Sequence, residues 1–126
     1  MKYLLYLSNT DKSKNSSQMK QYFGEYIRQL RTKSELTLTQ LGAKLDLDSA
    51  NLSKIENGKR EFDEKRLELL ASVFDLDIEN LKTEFFSELF AKKIYETNCS
   101  TEVLKVAEEK VKYYREQNVK QGRLKL

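Results

Sequence analysis

The chain has no histidine, no proline and no tryptophan, and only one cysteine and four glycines among 126 residues. Each scarcity narrows the function. Without histidine there is no histidine-based catalytic triad and no histidine-containing metal site. A lone Cys99 cannot form an intramolecular disulfide, which agrees with a reducing compartment. With no histidine to act as its base, the thiol is a poor nucleophile and reads as a turn or interface residue. Gly24, Gly42, Gly58 and Gly122 are scattered and form no phosphate-cradling loop. The lack of proline, with apolar residues recurring at helical spacing over most of the chain, predicts an all-α protein. No apolar run approaches the ~20 residues of a membrane span. The start, Met1-Lys2-Tyr3-Leu4-Leu5-Tyr6-Leu7, looks only faintly like a signal peptide. Its apolar part is short, and residues 8–18 are polar without a small-residue cleavage site. These features predict a cytoplasmic protein that is not an enzyme, needs no cofactor or metal, and has no membrane partner.

Charge is plentiful but unevenly placed. The formal net charge is +3. Residues 1–60 carry 11 basic and 6 acidic side chains, residues 61–88 carry 3 and 9, and residues 102–126 carry 7 and 4. A basic first half is compatible with a polyanionic partner, and the acidic middle would then face away from it. The acidic cluster at 61–68 reads as a helix start plus a solvated face.

Helix signals divide the chain into an N-terminal arm (1–17), a central domain (18–82) and a C-terminal extension (83–126). Ser17 can cap a first helix over 18–33, with Phe23, Ile27 and Leu30 facing inward. Thr37-Leu38-Thr39-Gln40 fits a capping box for a second helix, 38–45, whose inward face is Leu38, Leu41 and Leu45. Asp46-Leu47-Asp48 makes a turn. Asp48 can cap a third helix, 49–56, with Leu52 and Ile55 inward and Asn57-Gly58 as its stop. Asp63 caps a fourth helix, 64–74, with Phe62 stapled to Leu67. Asp77 caps a fifth, with Leu76 stapled to Leu81, which continues to about residue 95. In that extension Leu81, Phe85 and Leu89 form one stripe, and Phe86, Phe90 and Ile94 a second. After a break at Thr97-Asn98-Cys99-Ser100, a last helix over 101–117 carries Val103, Ala107, Val111 and Tyr114 on one stripe. The end from Val119 is basic and expected to fray. The spare apolar stripes predict a helical hairpin used as a dimer interface through Phe86, Phe90, Ile94, Val103, Ala107, Val111 and Tyr114.

Two short helices joined by a tight turn, the second ending in Asn-Gly, form a helix-turn-helix layout. The stretch from Leu36-Thr37-Leu38-Thr39-Gln40-Leu41-Gly42 through Ile55-Glu56-Asn57-Gly58-Lys59-Arg60 resembles the Cro and phage-repressor (XRE-like) helix-turn-helix family. Residues 67–71 and 74–77 are similar to its fourth and fifth helices. The resemblance covers about residues 22–82. It implies a five-helix, lambda-repressor-like bundle with a C-terminal helical extension, and a regulator of transcription that binds double-stranded DNA as a homodimer.

The resemblance also implies roles for particular residues. The third helix would enter the major groove, with Ser49, Ala50, Asn51, Ser53 and Lys54 toward base edges. By chemistry Asn51 suits adenine, Lys54 guanine or a phosphate, and Ala50 a thymine methyl. Thr37, Asn57, Lys59 and Arg60 would hold phosphates. Arg31 would pair with Glu56 and orient the recognition helix without reading sequence. The chain departs from the family pattern at several positions. Leu38 and Ser49 stand where glutamines are common, and Gln40 lies about half a turn too far on to substitute. Asp48 brings a negative charge near the DNA backbone, and Glu35 and Asp46 replace glycines at helix ends. The alternative reading is an interaction module whose C-terminal helices bind another protein. Lys54, Lys59 and Arg60 discriminate: one exposed basic face favours DNA, whereas neutralisation by Asp48 and Glu61 favours the scaffold.

Overall fold

Helices start and stop here where local chemistry tells them to. A computed structural model describes residues 22–121. The expected Ser17 cap, the arm and the last residues of the chain lie outside them. The described residues form six α-helices and no strand: α1 (Phe23–Lys33), α2 (Leu38–Leu45), α3 (Ser49–Glu56), α4 (Leu67–Phe74), α5 (Ile78–Thr97) and α6 (Glu102–Gln121). A 3-10 turn, Glu64–Arg66, leads into α4.

Short oxygen-bearing side chains begin most of these elements by accepting an orphan backbone N–H. Thr37 Oγ1 accepts from the Gln40 amide at 3.0 Å, and the Thr37 amide donates back to Gln40 Oε1 at 2.8 Å, a complete capping box. Asp48 Oδ1 accepts from the Asn51 amide at 2.7 Å, and Asp77 Oδ2 from the Asn80 amide at 3.0 Å. Left-handed residues end them. Asp46 follows α2 with φ 59°, Asp75 follows α4 with φ 55°, and Asn98 follows α5 with φ 58°. Glu35, between α1 and α2, has φ 59°. Glu35 and Asp46 are the two positions where the resemblance implies glycine, and a positive φ at both fits that expectation.

Several boundaries differ from the sequence expectation. The first helix does not run unbroken from 18, because Tyr22 is extended and α1 starts at Phe23. Its cap comes from far along the chain: the Phe23 amide donates to Glu88 Oε1 at 2.7 Å. A carboxylate there also suits the positive end of the helix. The fourth helix opens as a 3-10 turn, in which the Arg66 amide reaches only three residues back, to Asp63 O at 2.9 Å. The last helix extends to Gln121, not 117, since no glycine or proline interrupts it before Gly122.

The helices place seven fully buried aliphatic side chains at the centre: Ile27, Leu30, Leu41, Leu45, Leu52, Leu70 and Leu81. Phe23, Phe62 and Phe85 fill one side, with Phe23 edge-on to Phe85 at 5.3 Å between centroids. Helix α3 packs on both α1 and α2. Gly24 makes the first contact possible, because a Cβ there would sit 2.1 Å from the carbonyl oxygen of Ile55. Gly42, within α2, does the same for the turn that follows, where a Cβ would sit 2.5 Å from Leu47 O.

The chain divides into two units, one ending at Leu89 and the next beginning at Phe90. The second unit holds the end of α5 and all of α6. Every side chain from Tyr95 to Glu116 is exposed, so the expected hairpin buries no apolar stripe within the single chain. Of the residues expected at a dimer interface, Phe86 instead packs partly against the core of the first unit, edge-on to Phe85 at 5.0 Å. Its register on α5, one residue after the core residue Phe85, explains the difference. Ile94 is half-buried, whereas Phe90, Val103, Ala107, Val111 and Tyr114 are exposed.

Candidate nucleic-acid interface

Helix α3 is eight residues long, too short to be stable alone, so its neighbours determine where it points. At its end Glu56 is buried at 2% exposure, and a carboxylate so placed requires partners. Arg31 supplies a two-pronged one: Nε donates to Oε2 at 2.7 Å and Nη2 to Oε1 at 3.0 Å. The third arm of the same guanidinium donates to Leu36 O at 3.0 Å, in the turn before α2. The hydrogen bond to Glu56 raises the Arg31 pKa above its ordinary high value. Arg28 adds a contact to Glu56 Oε1 at 3.4 Å and donates to Asn57 Oδ1. The role of Arg28 escaped the sequence reading, although its position one turn before Arg31 was the available signal.

The outer side of α3 carries Ser49, Ala50 and Lys54, all exposed, with Asn51 and Ser53 half-buried beside them. Asn57, Gly58, Lys59 and Arg60 follow at its C-terminal end and are exposed. The turn folds back on the helix, with the Lys59 amide donating to Lys54 O at 2.8 Å. Lys54, Lys59 and Arg60 form no ion pair with any carboxylate among the described residues. Asp48 is occupied: its Oδ1 takes the Asn51 amide, and its Oδ2 accepts from Asn51 Nδ2 at 3.1 Å. Asn51 Oδ1 in turn accepts from Arg60 Nη1 at 3.0 Å. Both ends of the Asn51 amide are therefore engaged within the protein, and Arg60 lies alongside the first turn of α3 and not beyond its end. The sequence did not reveal that bond.

Thr37 is exposed at the start of α2, where its hydroxyl accepts a bond but keeps its own proton for donation. Leu38, where the resemblance implies a phosphate-binding glutamine, is half-buried against the core. On the far side of the helix pair, Arg66 donates to Leu45 O at 2.9 Å and Asp46 O at 3.2 Å, satisfying the carbonyls at the end of α2. No cluster of metal-ligating side chains is found among the described residues, and no helix among them is long and apolar enough to cross a membrane.

A bundle of short capped helices in which the second of two helices joined by a tight turn presents a cationic outer side defines a helix-turn-helix domain. Residues 27–81 match the helix-turn-helix family model, of the XRE type, and are similar to that family. The chain is 36% identical over 81 residues to the HTH-type transcriptional repressor RghR of Bacillus subtilis (strain 168), covering 61% of this chain and 60% of that protein. It is 42% identical over 60 residues to the uncharacterized HTH-type transcriptional regulator RghRB of the same organism, covering 47% of this chain and 43% of the relative. The chain thus spans about two-fifths to three-fifths of the length of these curated relatives. No solved structure gives a significant match.

Proposed function

We propose that this protein is a cytoplasmic regulator of transcription that binds double-stranded DNA sequence-specifically as a homodimer. The observation that carries the reading is the outer side of α3, where Lys54, Lys59 and Arg60 are exposed and form no ion pair with a carboxylate among the described residues, while the nearby Asp48 is consumed as a cap. Cations whose charge no carboxylate neutralises suit a polyanion, and an exposed helix surface suits the major groove. In this reading Ser49, Ala50 and Lys54 meet base edges, with Asn51 and Ser53 flanking them. Asn57, Lys59, Arg28 and the Thr37 hydroxyl grip the backbone. The amides at the start of α2 add donors to the Thr37 site. The names of the two relatives support regulation of transcription, and the first supports repression.

The homodimer rests on the second unit. A 20-residue helix with Val103, Val111 and Tyr114 exposed needs a partner surface to be worth forming. A twofold dimer would set two recognition helices ~34 Å apart. The same exposed side chains favour a second reading, in which α6 binds a different protein and the bundle is its scaffold. Selection of binding sites from random DNA duplexes at near-physiological salt tests the proposal. An enriched inverted repeat with half-sites about one turn apart supports it. Recovery of no motif refutes it and leaves the interaction module.

A further inference from the structure

The three side chains at the start of α3 form a chain of bonds with only one chemically consistent direction. A carboxylate accepts and a guanidinium donates. Asn51 lies between one of each, so its NH2 group must face Asp48, 3.1 Å away, and its oxygen must face Arg60, 3.0 Å away. Asp48 is fixed independently by the Asn51 backbone amide at 2.7 Å. The Asn51 oxygen is thereby aimed, and Arg60 is held by it. Each end of the amide keeps one further donor or acceptor site, so an adenine contact would have to use both in the one orientation that these two bonds leave.

Arg60 has the opposite character. It follows α3 in sequence, yet its guanidinium returns to the third residue of the helix. In helix-turn-helix docking the N-terminal residues of the second helix meet base edges, while its flanks meet the backbone. One N–H of the fork is used on Asn51, and no carboxylate among the described residues pairs with the group. The remaining donors can form the paired bonds to the O6 and N7 of guanine. We propose, on the DNA-binding reading above, that Arg60 is a specificity-determining residue that reads a guanine in the major groove. Asn51 is the positioning residue that aims it. This differs from what the resemblance implies, a base contact for Asn51 and a phosphate contact for Arg60.

The test uses the full chain and two variants, R60K and N51A, with the random duplex selection followed by affinity measurements on single-base variants of the recovered site. Lysine keeps the charge of Arg60 and loses the fork. R60K is expected to keep the salt dependence of binding and to lose roughly 5- to 150-fold of discrimination at one G·C position. N51A is expected to weaken discrimination at that same position, and the two losses together fall short of their product. If R60K leaves preference unchanged at every position, or N51A alters an A·T position instead, the inference is overturned and Arg60 is a phosphate contact. If the unsubstituted chain recovers no motif, the DNA reading itself falls, and this inference with it. Arg60 is exposed, so the decisive variant does not depend on core packing.

Discussion

Replacing Arg31 by methionine tests whether the orientation of α3 depends on a buried charge pair. The substitution keeps an apolar stem and removes three donors: two to Glu56, at 2.7 Å and 3.0 Å, and one to Leu36 O at 3.0 Å. Glu56, 2% exposed, is then left with Arg28 at 3.4 Å, whose side chain is 43% exposed and well solvated. Breaking a buried pair by removing one partner costs about 3–5 kcal/mol. Arg28 offsets part of that, so the expectation is the lower end, about 3 kcal/mol. A bundle of this size has a total stability on the order of 3–10 kcal/mol. The loss is therefore a large share, readable as a fall in Tm of about 12–24 °C by circular dichroism. The double variant Arg31→Met with Glu56→Leu removes the stranded charge along with the arginine, and should recover most of the loss. A single-variant cost under about 1 kcal/mol would refute the reasoning, as would a double variant no more stable than the single one.

Three further outcomes follow from other residues. Glu35→Gly should stabilise the chain by about 0.5 kcal/mol, since relief of a left-handed glutamate outweighs the extra freedom glycine gives the unfolded chain. Asp46→Gly should gain less, because aspartate tolerates φ 59° better; a lower Tm for Glu35→Gly would contradict this. Glu84 has its pKa raised by burial and then by the neighbouring Glu88. Its ionisation thus costs stability above the raised value, and that cost disappears as pH falls below the ordinary 4.5. Glu84→Gln should therefore melt higher than the parent at pH 7, with the gap closing on acidification; a gap independent of pH would exclude ionisation as its cause. On the homodimer proposal, Val103→Asp with Val111→Asp should shift sedimentation toward monomer, and an unchanged dimer would place the interface elsewhere.

What the sequence displayed was whatever depends on neighbours a few residues apart. The Thr37–Gln40 capping box, the Asp48 and Asp77 caps and the stops at Asp46 and Asn98 are all made within a single turn. The pattern of Leu41, Leu45, Leu52 and Ile55 is equally local, which is why α2 and α3 carry the expected bounds. Contacts across the fold were hidden. Glu88 caps α1 from 65 residues away, and Arg66 serves the end of α2 from 21 and 20 residues away. Nothing in the spacing of those residues announces them. At the candidate site, residue types on one helix were readable, but the bond between Asn51 and Arg60 depends on how the turn after α3 folds back. Phe86 and Phe90 lie one turn apart on α5, and sequence periodicity alone could not assign one to the core and leave the other exposed.

The division of labour around α3 has a physical logic. Its inner side is held by a backbone contact at Gly24, where even a methyl group would collide with Ile55 O, and by the ion pair at Glu56. Its start is held by Asp48, and its end by Asn57 with Arg28. All four restraints act on the backbone, the ends or the buried side, so none occupies Ser49, Ala50 or Lys54 on the outer side. Substitutions on that outer side therefore change what the helix touches and leave its position alone. Substitutions at Gly24 or Arg31 move the helix without altering a residue on its surface. A regulator built this way can change its preferred site by surface substitution at little cost to stability, because the residues that fix the helix and the residues that face outward are different ones.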